Sequence, residues 1–286
     1  MVRGRQPGEA PFTAQDVRRT YKARDSWWTV FLVDPVAAPI VRLLANHTRV
    51  TPNQLSVTAF VLGLGVAAIF LLADWPLLAL GGVVFYLAFY VDCIDGKIAR
   101  LKGTGSAFGQ WLDWIFDRVR GFVCTLALML GQFLRTGEAW YLVLGMCLVF
   151  IETFRYLNSL HSDKVFEQLR ARLAAARGTQ AAGAGGDTAV GAAEIPLHAS
   201  NAETSPSPSA ALGRYGRFRL FLQRHRLRPH LWSGIEFQMF VLIVAPITGL
   251  VGPVSIGAGV LLVAFECAVS YRLWLTTRSF ERRLSG

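Results

Sequence analysis

Apolar residues along this chain come in blocks, and the blocks are too long for the helices of an ordinary soluble core. About 20 apolar residues in a row are needed to cross a hydrocarbon layer of ~30 Å. Six stretches reach that scale, near 54–73, 76–99, 108–134, 138–160, 232–251 and 254–276. Glycines recur inside them, as at Gly63, Gly65, Gly81 and Gly82. Small residues of this kind let neighbouring backbones approach closely in lipid. Residues 26–46 are also apolar, but Asp34, Pro35 and Pro39 interrupt them and Trp27-Trp28 stands at one end. That pattern predicts an amphipathic helix lying in the interface. Thr51-Pro52-Asn53 makes a short turn into the first span. The expected fold class is all-α: an integral membrane protein with six transmembrane helices and an N-terminal interfacial amphipathic helix.

The polar segments divide the chain further. Residues 1–53 hold a basic tail and the interfacial helix, and 54–162 hold the first four spans. Residues 163–231 form one long connection, and 232–286 hold the last two spans and a tail. In this connection, expected to be cytoplasmic and partly disordered, 163–177 can extend the fourth span as an amphipathic helix, whereas 177–212 are rich in Ala, Gly, Ser and Pro, cannot build a core and are expected to be disordered. Basic and aromatic residues return over 214–230, as an interfacial helix would have them. No internal repeat and no cleavable targeting segment is evident.

Composition agrees with lipid as solvent: 53% of the 286 residues are hydrophobic and 17% charged, against about a quarter charged in soluble domains. The net charge of +10 would suggest nucleic acid in a soluble protein. In a membrane protein it is better read as basic loops facing an anionic leaflet, so no nucleic-acid partner is expected. The loops between spans one and two, three and four, and five and six contain a single basic residue, Arg135. Arg100, Lys102, Lys164, Arg170, Arg172, Arg278, Arg282 and Arg283 lie on the other side, which predicts cytoplasmic termini. Cys93, Cys124, Cys147 and Cys267 all fall in apolar blocks with no CxxC pair, which argues against a disulfide framework or zinc site.

The chemistry is concentrated in VDCIDGKIARLKGTGSAFGQWLDWIFDRV. Asp92 and Asp95 are three apart and share a helix face; Asp113 and Asp117, four apart, do the same on the next helix. The connection around Lys102 to Ser106 is short, so the two helices are expected to be antiparallel neighbours. Four carboxylates then converge at one end of the hairpin. A carboxylate in mid-membrane costs ~2.5–3.5 kcal/mol on insertion scales, and mutual repulsion adds to that. Two divalent cations would remove both penalties, and all-oxygen ligation favours Mg²⁺, with Mn²⁺ or Ca²⁺ also accepted. Carboxylate-bound metal pairs are suited to displacement at phosphorus. The competing expectation is that the aspartates simply pair with Lys97, Arg100, Arg118 and Arg120.

This segment resembles the signature of the CDP-alcohol phosphotransferases, D-x2-D-G-x2-A-R-x8-G-x3-D-x3-D. Asp92, Asp95, Gly96, Ala99, Arg100, Gly109, Asp113 and Asp117 occupy all its fixed positions. The resemblance implies that Asp92, Asp95 and Asp113 bind metal, and that Asp117, also near the metal, is the general base for the acceptor hydroxyl. Gly96, Ala99 and Gly109 are small enough for a nucleotide to approach or for helices to pack. Arg100 can hold phosphate or pair with an aspartate. Thr51-Pro52-Asn53 resembles the family's Pro-Asn turn near the nucleotide, which makes Pro52 and Asn53 candidates too; a plain turn explains it equally. Arg155 and Arg272, late in spans four and six, can snorkel to headgroups or bind a phosphorylated acceptor.

The fourth span ends in Glu152-Thr-Phe-Arg-Tyr-Leu-Asn rather than the Ser-Tyr-x-Lys-Ala-Arg-like run of the phosphatidylinositol-phosphate synthases. Arg24-Asp25-Ser-Trp-Trp, ahead of Thr-Pro-Asn, looks more like the transferase part of di-inositol-phosphate phosphate synthases. The implied reaction passes a substituted phosphoryl group from a CDP-alcohol, lipid or polyol, to the hydroxyl of an inositol phosphate, polyol or lipid alcohol, releasing CMP. The resemblance also implies a homodimer among membrane lipids, and the Ala-, Gly- and Arg-rich composition suggests a bacterial plasma membrane. Two rivals compete. An aspartate-rich prenyltransferase would carry DxxD pairs on non-adjacent helices. A transporter or non-catalytic scaffold would show internal symmetry or mid-membrane helix breaks.

Overall fold

Helix boundaries in this protein are written locally, by caps and left-handed stops. The structure, a computed structural model, describes residues 11–183, 220–222, 224–228 and 232–284. Two short pieces come first: α1, Ala14–Arg19, and α2, Asp34–His47, which continues a π-helical turn over Thr29–Val33. Thr51 then caps α3, Pro52–Leu72, in a capping box with Gln54: Gln54 N donates to Thr51 Oγ1 at 3.2 Å and Thr51 N to Gln54 Oε1 at 2.9 Å. Proline at the first position suits such a start because its missing N–H has no helical partner there. α4, Trp75–Lys102, stops at Gly103 with φ +61°, the left-handed conformation that glycine adopts freely. Ser106 opens α5, Ala107–Thr136, by accepting from Gly109 N at 2.9 Å. α6 is Trp140–Gly183, α7 Gly234–Thr248 and α8 Val251–Leu284.

Among the described residues there is no strand, only an isolated parallel bridge between Asp25 and Leu227. Five helical segments among the described residues are long and apolar enough to cross a membrane: Thr29–His47, Pro52–Leu72, Trp75–Lys102, Trp140–Arg172 and Val251–Ser279. Four of them coincide with predicted spans. The fifth contains α2, expected to lie in the interface. Its Val33, Ala37, Val41 and Ala45 are buried at a spacing of four, while Phe31, Leu32, Val36 and Leu43 are exposed. α5 is 30 residues long but carries Asp113, Asp117, Arg118 and Arg120 in its first half. α7 is shorter, at 15 residues. The expected features at 1–10, and most of those over 177–219, lie outside the described residues.

The described chain forms two compact units. One comprises residues 11–151 and 220–262, the other 152–183 and 263–284. In the first, α3 is the centre, packed along both α4 and α5, which touch each other little. This differs from the expected hairpin, whose two helices were to be antiparallel neighbours. Small residues make the arrangement possible: a Cβ on Gly131 of α5 would lie 2.2 Å from Phe70 O on α3. Phe60 and Phe116 stack across the same interface at 4.5 Å. In the second unit, Asn158 Nδ2 donates to the buried Glu266 Oε2 at 2.7 Å.

Candidate active site

α4 and α5 come together where the signature residues lie. Asp92, Asp95 and Asp113 each turn an oxygen to a common place, these atoms all lying within 4.8 Å of one another. Asp95 is buried and accepts a hydrogen bond from Ser56 Oγ of α3. The Oδ1 atom of Asp113 is buried without a hydrogen-bond partner among the described residues. A buried carboxylate oxygen left in that state is costly unless a cation completes it. Three carboxylates with such an orphaned atom fit an oxygen-seeking divalent ion such as Mg²⁺ or Mn²⁺.

Asp117 stands apart from that trio. Arg120 NH2 donates to Asp117 Oδ1 at 2.8 Å and Arg118 NH2 to Oδ2 at 3.3 Å. Arg120 NH1 also reaches Asp92 Oδ1 at 3.1 Å, so one guanidinium spans α4 and α5. Arg120 is 1% exposed, and Gly63 of α3 makes the room for it: a Cβ there would sit 2.5 Å from Arg120 Cγ. Pairing with cations therefore accounts for Asp117 and part of Asp92, but not for Asp95 or Asp113. The other two basic residues in question have different partners. Lys97 pairs with Asp34 at 3.2 Å, both buried, and Arg100 Nε donates to Thr20 O at 2.7 Å.

The predicted nucleotide contacts fall into two groups. A Cβ on Gly109 would meet Asn53 Oδ1 at 2.9 Å, so Asn53, next to Pro52 in the first turn of α3, lies against the start of α5. A Cβ on Gly96 would meet Arg100 NH1 at 3.4 Å, which puts that guanidinium over Gly96 with Ala99 on the same helix. Arg155 on α6 and Arg272 on α8 belong to the second unit. Ser56 and the Asp34–Lys97 pair were not found from the sequence, whereas Arg120 was expected as an aspartate partner, without its bridge between Asp92 and Asp117. Ser56 carries no local spacing signal, and neither does the reach of Arg120 to Asp92, because the packing of α3 brings α4 and α5 together; only the i,i+3 pair of Arg120 with Asp117 is local.

Residues 49–182 match the family model of CDP-alcohol phosphatidyltransferases. The chain is 36% identical over 80 residues to a bifunctional IPC transferase and DIPP synthase of Aquifex aeolicus, covering 28% of this chain and 18% of that protein. It is 36% identical over 88 residues to a phosphatidylinositol phosphate synthase of Corynebacterium glutamicum, covering 31% and 37%. With an archaetidylinositol phosphate synthase of Pyrococcus horikoshii it shares 29% over 100 residues, covering 35% and 52%. The matched stretches thus span about half of these relatives' own length or less.

Proposed function

We propose, from the match of residues 49–182 to the CDP-alcohol phosphatidyltransferase family model, a metal-dependent transfer from a CDP-alcohol to a hydroxyl acceptor. The acceptor oxygen forms a bond to phosphorus, the bond from that phosphorus to CMP breaks, and the acceptor's proton goes to Asp117. One observation carries the reading: Asp92, Asp95 and Asp113 turn oxygens to one place inside the signature stretch.

In this reading Asp92, Asp95 and Asp113 hold Mg²⁺ or Mn²⁺ at the cytoplasmic end of the helices, the side favoured by the basic loops. A divalent ion there supplies positive charge against the phosphoryl oxygens and the departing CMP. Arg100 takes the donor's pyrophosphate over Gly96 and Ala99, while Pro52, Asn53 and Gly109 border the nucleotide. Arg118 and Arg120 hold the Asp117 carboxylate in one orientation, so that it meets the acceptor hydroxyl without searching rotamers. Residues 54–162 carry this chemistry. Two of the relatives are named a phosphatidylinositol phosphate synthase and an archaetidylinositol phosphate synthase, which makes an inositol phosphate the acceptor to try first.

The test is CMP release by the purified chain, screened over lipid and polyol CDP-alcohols with inositol phosphate and polyol acceptors. Release that needs both acceptor and divalent ion is the expected outcome. Undiminished release after exhaustive metal removal would overturn the mechanism. No release from any donor–acceptor pair in the presence of Mg²⁺ or Mn²⁺ would overturn the function.

A further inference from the structure

Arg226, at the far end of the long connection, is held by more contacts than a simple link requires. Its φ is +58°, a region that residues other than glycine rarely adopt and that persists only where surroundings over-determine it. The surroundings do so. Arg226 Nε and NH2 donate to Lys22 O at 3.0 and 2.7 Å, NH1 donates to Asp34 Oδ2 at 3.0 Å, and the guanidinium lies 4.8 Å from the Tyr21 ring centre. On the main chain, Asp25 N donates to Arg226 O at 2.8 Å and Arg228 N to Asp25 O at 3.1 Å. One arginine thus holds the elbow over residues 20–34 at four points, Tyr21, Lys22, Asp25 and Asp34.

The opposite side of that elbow meets the signature helix. Thr20 O accepts from Arg100 Nε, and Asp34, already paired with Arg226, takes Lys97. Thr20, Asp25, Asp34 and Lys97 are all buried, so these ties are not loosely solvated surface pairs. We propose that Arg226 is a positioning residue for the donor site: by latching the elbow it fixes Thr20 O, and through it the Arg100 guanidinium over Gly96, where the diphosphate of the CDP-alcohol is received. The inference rests on the preceding reading of Arg100 as a donor contact. It gives the end of the connection a part in nucleotide recognition, 126 positions along the chain from Arg100.

CDP, titrated calorimetrically into the full chain with Mg²⁺ present, is the probe. Arg226→Gly removes the side chain yet tolerates φ +58° without strain, so a loss belongs to the lost contacts. We expect its Kd for CDP to rise about tenfold, with Arg226→Lys between it and the wild type because one cation stays beside Asp34. The Arg100→Ala, Arg226→Gly double variant should bind no more weakly than Arg100→Ala alone, as residues acting through one another are not additive. A clip that only stabilises the fold would lower the fraction of chain able to bind and leave Kd unchanged. That result, or losses that multiply in the double variant, would overturn the latch while wild-type CDP binding and CMP release stand. A wild type that neither binds CDP nor releases CMP sinks the underlying reading first, and the latch with it.

Discussion

At the scale of single residues, Asp92 and Asp117 share one arginine but are expected to fail differently when changed. Asparagine at 117 keeps the volume and an oxygen but cannot accept the acceptor's proton. General-base assistance is typically ~10²–10⁴-fold, so Asp117→Asn should lose about that much in rate while CDP still binds. Asp92→Asn and Asp113→Asn should instead weaken the metal, and part of their loss should return at high Mg²⁺. If excess Mg²⁺ restores Asp117→Asn as fully as the other two, its carboxylate is chiefly a ligand and the base lies elsewhere. Sequence spacing is enough to put Asp92 with Asp95 and Asp113 with Asp117, because i,i+3 and i,i+4 positions share a face whatever the surroundings. It carries no such information about Ser56, nor about the second partner of Arg120, since only the i,i+3 pair with Asp117 is local. Ser56 reaches Asp95 from 39 positions away, and Arg120 reaches Asp92 from 28.

Among the elements, α3 has the largest structural role and the least conspicuous sequence. It lies along both α4 and α5, and its closest approach is backbone to backbone: a Cβ at Gly131 would fall 2.2 Å from Phe70 O. A carbonyl in a helix cannot swing aside as a side chain can. Gly131→Ala should therefore cost about 1–3 kcal/mol, the usual range for overpacking, with the helices forced apart. Gly65→Ala, with nothing within 4 Å of its would-be Cβ, should be neutral or stabilise by up to ~1 kcal/mol, since alanine suits a helix better. Thermal unfolding of the two variants in the same detergent decides the matter; equal midpoints would mean that the α3–α5 contact is not tight. The apolar blocks placed the ends of α3, α4 and α5 within a few residues, but the caps that fix them, Thr51 with Gln54, Gly103 and Ser106, were not read from the sequence. The order of packing was not readable. A short connection between α4 and α5 fixes only that their adjacent ends are close, and α3 takes the space between them.

For the whole molecule, the long connection has two parts with different expected importance. Residues 178–210 are dominated by Ala, Gly, Ser, Thr and Pro and have too few large apolar side chains to build a core. Deleting them should leave CMP release within about twofold, a range typical of changes that touch no packed contact. A cysteine introduced at position 190 should label from the cytoplasmic side; labelling from the outer face alone would reverse the orientation. Disturbing the segment around Arg226 should be felt at once, because Asp25, Asp34 and Lys22 depend on it. Basic and aromatic composition suggested an interfacial helix there. The contacts that matter join it to residues about 200 positions earlier, and a pairing of that range leaves no trace in the periodicity of either segment. Burial supports the same picture at Tyr21, where removal from water, with Asp34 nearby, raises the phenol's pKa and keeps it a donor to Asp34 O.

Arg120 also bears on how the protein enters a bilayer. A lone aspartate or arginine at mid-span costs ~2.5–3.5 kcal/mol to insert, and α5 carries Asp113 and Asp117 with Arg118 and Arg120 within two turns. Asp117 is already paired with the two arginines near it on its own helix, Arg118 and Arg120, so this end of α5 can leave the translocon nearly charge-balanced, before it has met α4 or any ion. Closing α5 onto α4 then lends the same guanidinium to Asp92. Biogenesis and metal loading are separable on this view: chelation during synthesis should still yield inserted chain. Arg120→Leu, which leaves two carboxylates with one counter-charge, should show its defect first in the yield of membrane-inserted protein, read by carbonate extraction.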